Sequence, residues 1–269
     1  MALGIGSNPA GLSAVQQTQR TAQSLLKNYE KLASGLRINR AGDDAAGLAI
    51  SEALRADVRQ YNQEVGNLQS GVSAAQTADG ALESQGEAVQ RLRDLAVQAS
   101  NGTLNADQRA AINEEAQQLI QQIDQTAQNT NYNGTNLIDG SETSVSLGTQ
   151  GGDALSLNES TASSLGIAGV DLSTQSGAQA AISELDGAIE RISENRASLG
   201  AQQSAFSSAI SIREIASENA AEAESRIRDA DVARLVIEQT RNQLLLGAGV
   251  GAIRNSGINS EIASTLLGK

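Results

Sequence analysis

The sequence predicts a mainly α protein, a long antiparallel coiled-coil helical rod that carries a small β-hairpin. Three observations lead there. Two separated stretches place apolar residues at alternating intervals of four and three, the spacing of a seam between packed helices. Between them, from 140 to 177, the period changes to two, as in a strand. The side chains are also thin: the 269 residues include three Tyr, one Phe and no Trp, so bulk for a thick core is missing, while a narrow bundle needs none.

Taken in order, residues 1–44 are amphipathic but weakly so, and lead into the run SGLRINRAGDDAAGLAIS from Ser34 to Ser51. This run joins two helical patterns. Gly35 suits the end of the first helix, and Asn39 and Gly42 tolerate the special backbone angles of a connection. Asp43 or Asp44 then caps the next helix with a carboxylate at the positive end of its dipole.

From Leu54 the apolar residues fall at Leu54, Val58, Tyr61, Val65, Leu68, Val72 and Ala75. After Ala75 the register slips in this reading and resumes at Leu82, Val89, Leu92 and Ala96, until Ser100, Asn101 and Gly102 stop it. A single helix from Asp44 to Ala99 is roughly 80 Å long at 1.5 Å per residue. Asn105 followed by Gln108 has the spacing of a capping box and opens a shorter helix, whose face carries Ile112, Ala116, Leu119, Ile120 and Ile123. The turn formers of NTNYNGTN, Asn129 to Asn136, end it. Its natural packing is an antiparallel return along the long helix.

Val145 and Leu147, then Leu155 and Leu157, flank TQGGD and predict a β-hairpin. Ser176 and Gln179 repeat the capping-box spacing. A second seam follows through Ile182, Leu185, Ile189, Ile192, Arg196, Leu199, Gln203, Phe206 and Ile210. Arg196 and Gln203 are polar seam positions of the kind that fix register at some cost in packing. The chain therefore divides into 1–44, an N-terminal helix and linker; 45–178, the long helix, shorter helix and hairpin; 179–224, the returning helix; and 225–269, a C-terminal helix.

With no His and no Cys, the commonest general base, the commonest metal ligands and the thiolate nucleophile are missing together. The carboxylate pairs Asp43–Asp44, Glu114–Glu115 and Asp229–Asp231 are better explained by capping and solvation than by glycosidase chemistry. The run GTQGGDAL is read as a turn, because a calcium-binding repeat works as an array. The reading is therefore of a non-enzyme without cofactor or metal.

Residues 1–60 carry seven basic and five acidic side chains, residues 225–269 six and four, and residues 61–224 six and twenty-two. An acidic body between mildly basic ends argues against nucleic acid, which calls for a concentrated basic face. No apolar run reaches the length of a membrane span, and the start lacks the pattern of a cleaved signal. On these grounds alone the chain reads as cytoplasmic.

Three segments resemble bacterial flagellins: the run Ser34–Ser51, VQRLRDLAVQASNGT from Val89 to Thr103, and SRIRDADVARLVIEQTRNQLLLGAG from Ser225 to Gly249. The resemblance implies a structural subunit that polymerises into the flagellar filament for swimming motility, exported unfolded through the flagellum's own channel, and so secreted and extracellular. It implies that the terminal helices form an inner coiled coil on assembly, and that the subunit is a minimal one without bulky outer domains. An export chaperone is expected to contact Val232, Leu235, Val236, Ile237, Leu244 and Leu245, and further partners are the filament cap and hook-associated proteins. A host Toll-like receptor is expected to recognise Arg91, Leu95 and Glu115. The alternatives are a hook–filament junction protein, which shares the N-terminal signature, and an unrelated secreted coiled-coil adaptor. The strong match from Ser225 to Gly249 favours a flagellin.

Overall fold

The computed structural model describes residues 9–266, with side chains over 11–255. The expected end segments extend beyond this at 1–8 and 267–269, which lie outside the described residues. Helix α1 spans Pro9–Ser34, α2 Ala45–Ala99, α3 Ala106–Asn129, α4 Ala162–Leu165, α5 Gln175–Arg228 and α6 Val232–Leu266. Two short antiparallel ribbons interrupt them, β1 (Asn131–Tyr132) with β2 (Thr135–Asn136) and β3 (Ser144–Ser146) with β4 (Ala154–Ser156). The chain forms two compact units, one of Met1–Val58 with Glu218–Lys269 and the other of Arg59–Ser217.

In the Arg59–Ser217 unit, α2 and α5 run antiparallel. Asn62 accepts from Ser217, Arg213 pairs with Glu64, Arg196 with Asp79 and Arg93 with Asp186. Partner numbers on one helix fall as those on the other rise. Helix α3 returns along α2 in the same sense: the Arg109 side chain donates to the Ala99 carbonyl, Arg91 pairs with Glu115, and Gln85 donates to the Ile123 carbonyl. The core between them holds Leu68, Leu82, Leu92 and Leu95 of α2, Ile120 and Ile123 of α3, and Leu185, Leu199 and Phe206 of α5.

The expected slip of register after Ala75 does not occur. Ala75, Ala78, Leu82, Gln85, Val89, Leu92, Ala96 and Ala99 are all buried, so the alternation of three and four runs on unbroken. Gln85 occupies a seam position, 1% exposed, and its polarity reads as a break only while its partners are unknown. Its amide donates to the Ile123 and Ser160 carbonyls and accepts from the Ser160 hydroxyl. A buried amide satisfied in this way is compatible with a core. At the polar seam position Arg196, the guanidinium donates to both oxygens of Asp79 at 2.8 and 3.4 Å and lies 3.5 Å from Glu83.

Helix α3 has the expected reciprocal box, in which the Asn105 side chain accepts from the Gln108 N–H and Gln108 accepts from the Asn105 N–H. Helix α5 does not start at Ser176. Thr174 caps it, its hydroxyl accepting from the Gly177 N–H at 3.0 Å and its carbonyl from the Ala178 N–H. The hydroxyl of Thr174 reaches the third N–H of the helix, which is the reach of a cap, so the Ser176–Gln179 spacing is incidental.

The expected hairpin pairs Val145 with Leu155. The second ribbon is shorter and turns on Asn133 and Gly134, both at positive φ (51° and 83°), as a two-residue reverse turn of this kind demands. The β3–β4 hairpin packs on α2 at Gly71, where an added Cβ would come within 2.6 Å of the Leu147 methyl. Gln202 of α5 clamps its other edge, accepting from the Ser156 N–H at 2.7 Å and donating to the Ser156 carbonyl at 3.2 Å.

Candidate functional site

The unit that contains both ends is built on α1 and α6, which pack side by side, and on the two connections that leave them. Gly35 follows α1 at φ +71°, and the chain then forms a single antiparallel bridge between Leu36 and Asp229. The Arg37 N–H donates to the Arg228 carbonyl at 2.6 Å, and the Ala230 N–H to the Gly35 carbonyl at 3.0 Å. The Arg37 guanidinium adds a bond to the Ile227 carbonyl. The two connections thus fold as one backbone-bonded piece.

Within it, the motif acidic residues serve the backbone. Asp44 caps α2 through the Gly47 N–H at 2.8 Å. Asp43 accepts from the Asn39 and Arg40 N–H groups, and those bonds, Arg40's first, hold its carboxyl below the usual carboxylate range. Gly47 allows a close approach: an added Cβ would sit 2.5 Å from the Asp44 carboxylate and 2.8 Å from Ile38, so one of these side chains would have to shift. Asp231 caps α6, accepting from the Arg234 N–H, while Asp229 accepts from the Ser225 hydroxyl. Each of these carboxylates has a structural use. Thr149 and Asp153 likewise close the GTQGGDAL run as a turn.

Helices α1 and α6 bury little between them. Thr21, Asn28 and Leu235 are the residues of this pair that become buried among the described residues. Leu12, Leu26 and Tyr29 of α1 stay exposed, and so do Val232, Val236, Ile237, Leu244 and Leu245 of α6, with Ile237 at 69% and Leu244 at 71%. Val236, Ile237, Thr240, Leu244, Leu245 and Ala248 line an open apolar groove. Of the six residues expected to meet a chaperone, Leu235 is the exception: it is turned inward at 9% exposure.

The expected receptor set is divided. Arg91 and Glu115 do meet, through two hydrogen bonds of 3.1 and 2.8 Å on the surface between α2 and α3. Leu95 corrects the expectation. It is 2% exposed and belongs to the core, because it stands three residues after Leu92 on the face of α2 that packs inward. No helix of the described residues is long and apolar enough to cross a membrane.

These elements define a mainly helical protein with two small ribbons, whose first and last helices pair with each other while keeping an apolar face outward. A family model described as the bacterial flagellin N-terminal helical region matches residues 5–143, and the bacterial flagellin C-terminal helical region matches 182–255. The chain belongs to the bacterial flagellin family. It is similar to a flagellin of Halalkalibacterium halodurans, 43% identical over 81% of this chain and 83% of that one. A flagellin of Treponema pallidum is 33% identical over 98% of this chain and 99% of its own. Among solved structures, a protein described as a flagellar hook-associated protein of Vibrio parahaemolyticus covers 70% of this chain and 100% of its own with a TM-score of 0.60 at 13% identity. That likeness is one of fold.

Proposed function

We propose that this chain is the structural subunit that polymerises into the bacterial flagellar filament, and that its end helices make the polymer. The observation that carries the reading is the outward apolar face of the α1–α6 pair, where Leu12, Leu26, Val236, Ile237 and Leu244 are left in water. Its contiguous part, the α6 groove of Val236, Ile237, Leu244 and Leu245, is the kind of surface that marks a protein–protein contact, and a second copy presenting the same surface is the partner always at hand in a homopolymer. Family matches at both ends of the chain support the same reading, and favour it over a hook–filament junction protein.

The work of such a subunit is mechanical, so its role is structural and not enzymatic. Before assembly, the exposed side chains Val232, Val236, Ile237, Leu244 and Leu245 suit an export chaperone, and Leu235 joins them once α6 parts from α1. Filament cap and hook-associated proteins are further partners at the filament ends, and the secreted, extracellular filament is the final location. Receptor recognition is carried by the Arg91–Glu115 pair as a surface feature, with Leu95 supporting it from below.

The reading is tested by electron microscopy of concentrated, purified protein seeded with short filament fragments. Long tubes are expected. Small soluble oligomers as the end point would favour an unrelated coiled-coil adaptor.

A further inference from the structure

Along one edge of the α1–α6 pair lies a hollow of about 300 Å³ whose lining includes Ser24, Lys27, Asn28 and Lys31 of α1 and Glu238 and Arg241 of α6. The α1 residues follow the spacing i, i+3, i+4, i+7, which is one continuous stripe on a helix. A stripe facing a partner helix is ordinarily apolar, and this one is polar throughout.

Two independent observations say that the hollow is built to receive something. First, its cations form no close ion pair, although the charges of Lys31 and Lys27 are felt by Asp43. The ion pairs of the neighbourhood occupy Arg40 with Glu30 and Arg234 with Glu238, while Lys27, Lys31 and Arg241 form none among the described residues. Glu238 is the one carboxylate lining the hollow, and it already faces Arg234 at 3.4 Å. Second, Asn28 is 8% exposed, and its amide has no hydrogen-bond partner among the described residues. An amide so far withdrawn from bulk solvent is ordinarily paired, and Asn28 lines the hollow together with the three cations.

Ammonium, guanidinium and amide donors converging on so small a space fit a carboxylate. The charge of the chain says where one comes from. Residues 59–217 carry seven basic and nineteen acidic side chains, whereas the unit that holds the hollow carries twelve of each. We propose that this hollow is a carboxylate-binding site, filled by an acidic side chain from residues 59–217 of a second copy of the chain. The inference rests on the filament reading above and adds the chemistry of one contact to it. The apolar face of α6 supplies the adhesion between copies, and the charged contact fixes how they are registered, since charge complementarity governs orientation and rate more than affinity.

Lys27, Lys31 and Lys269 are the only lysines of the sequence, which makes the contact readable by chemistry. Filaments are grown from an equal mixture of ¹⁵N-labelled and unlabelled full-length protein and treated with a water-soluble carbodiimide, which joins an amine to a carboxylate in contact with it. Mass spectrometry is expected to find peptides of mixed isotope that join Lys27 or Lys31 to an Asp or Glu between 59 and 217, absent from monomer treated alike. The pair Lys27→Glu with Lys31→Glu is expected to slow seeded growth roughly tenfold or more at low salt, with helix content unchanged, whereas Lys27→Arg with Lys31→Arg restores it.

Filaments in which Lys27 and Lys31 link only within their own chain, or to nothing, would overturn the proposal while leaving the filament reading intact. Protection of both lysines from acetylation by inorganic phosphate in the monomer, without any mixed-isotope link in the filament, would assign the hollow to a free anion and overturn it equally. Wild-type protein that forms no filaments at all would remove the filament reading and this contact with it.

Discussion

Gln85 and Ser160 exchange hydrogen bonds inside the core: the Ser160 hydroxyl donates to Gln85 Oε1 at 2.7 Å, and Gln85 Nε2 donates to the Ser160 carbonyl at 2.9 Å. A third bond from the same amide reaches the Ile123 carbonyl of α3 at 3.1 Å. One polar side chain on the α2 seam thereby ties α3 and the segment before α4 to α2. Replacing it by Leu leaves the Ser160 hydroxyl and carbonyl without these bonds, at about 1–3 kcal/mol for each group that water cannot reach, while the Ile123 carbonyl keeps its place in the α3 ladder. Gln85→Leu is expected to lower stability by about 2–4 kcal/mol in urea unfolding followed by circular dichroism, despite the gain in apolar volume. Unchanged stability would mean that the three bonds contribute nothing net.

Leu95 and Arg91 separate packing from surface charge on the same helix. Leu95→Ala removes a fully buried side chain and is expected to cost about 2–5 kcal/mol. Arg91→Ala breaks a pair whose side chains are 56% and 47% exposed, and is expected to cost less than about 1 kcal/mol. Paired unfolding curves check both. A recognition assay on Leu95→Ala therefore has to be read beside its stability.

Glu64 provides a pH signature. Burial pushes its carboxyl up, but donation from Gln60, Arg213 and the Gln150 N–H, with the charge of Arg213, outweighs burial and holds it below its ordinary value of 4.5. A carboxyl lowered on folding contributes stability that is fully present above its unfolded pKa and is lost as pH falls through the folded one. Wild type is therefore expected to exceed Glu64→Gln in stability at neutral pH, by a margin that narrows below about pH 4.5. A margin independent of pH would contradict the ionised Glu64–Arg213 pair.

Amide exchange should divide the chain. Helices α1 and α6 bury few side chains against each other, whereas α2, α3 and α5 share a continuous apolar core. Local opening follows buried contact, so in monomer the amides of α1 and α6 are expected to exchange much faster than those of α3 or of α2 beyond Leu68. On polymerisation they should become protected.

Much of this fold is legible in the sequence, because period and capping are local. Helix α2 ends where Ser100, Asn101 and Gly102 say it does, and the box of Asn105 and Gln108 and the pairing of Val145 with Leu155 follow from spacing alone. What escapes is set by partners distant in the chain. Gln85 reads as a flaw until Ser160 and Ile123 are beside it. Ser176 and Gln179 have the spacing of a cap, yet the Gly177 N–H finds its acceptor in Thr174. The place of Leu147 on Gly71 leaves no mark in the sequence beyond a glycine in a helix. The site is harder still. Leu95 and Arg91 lie four apart on α2, yet one enters the core and the other meets Glu115, a division that depends on where α3 lies. The polar stripe of Ser24, Lys27, Asn28 and Lys31 becomes visible once α6 is laid against it.

If the end helices make the polymer, deleting either one abolishes filament growth. Full-length protein, the chain without residues 1–40 and the chain without residues 230–269 are compared by seeded growth under electron microscopy, with circular dichroism of each. Long filaments from the full chain alone, with most of the helix signal kept in both truncated forms, are expected. Filaments of ordinary length from either truncated chain would show that the end helices do not make the polymer.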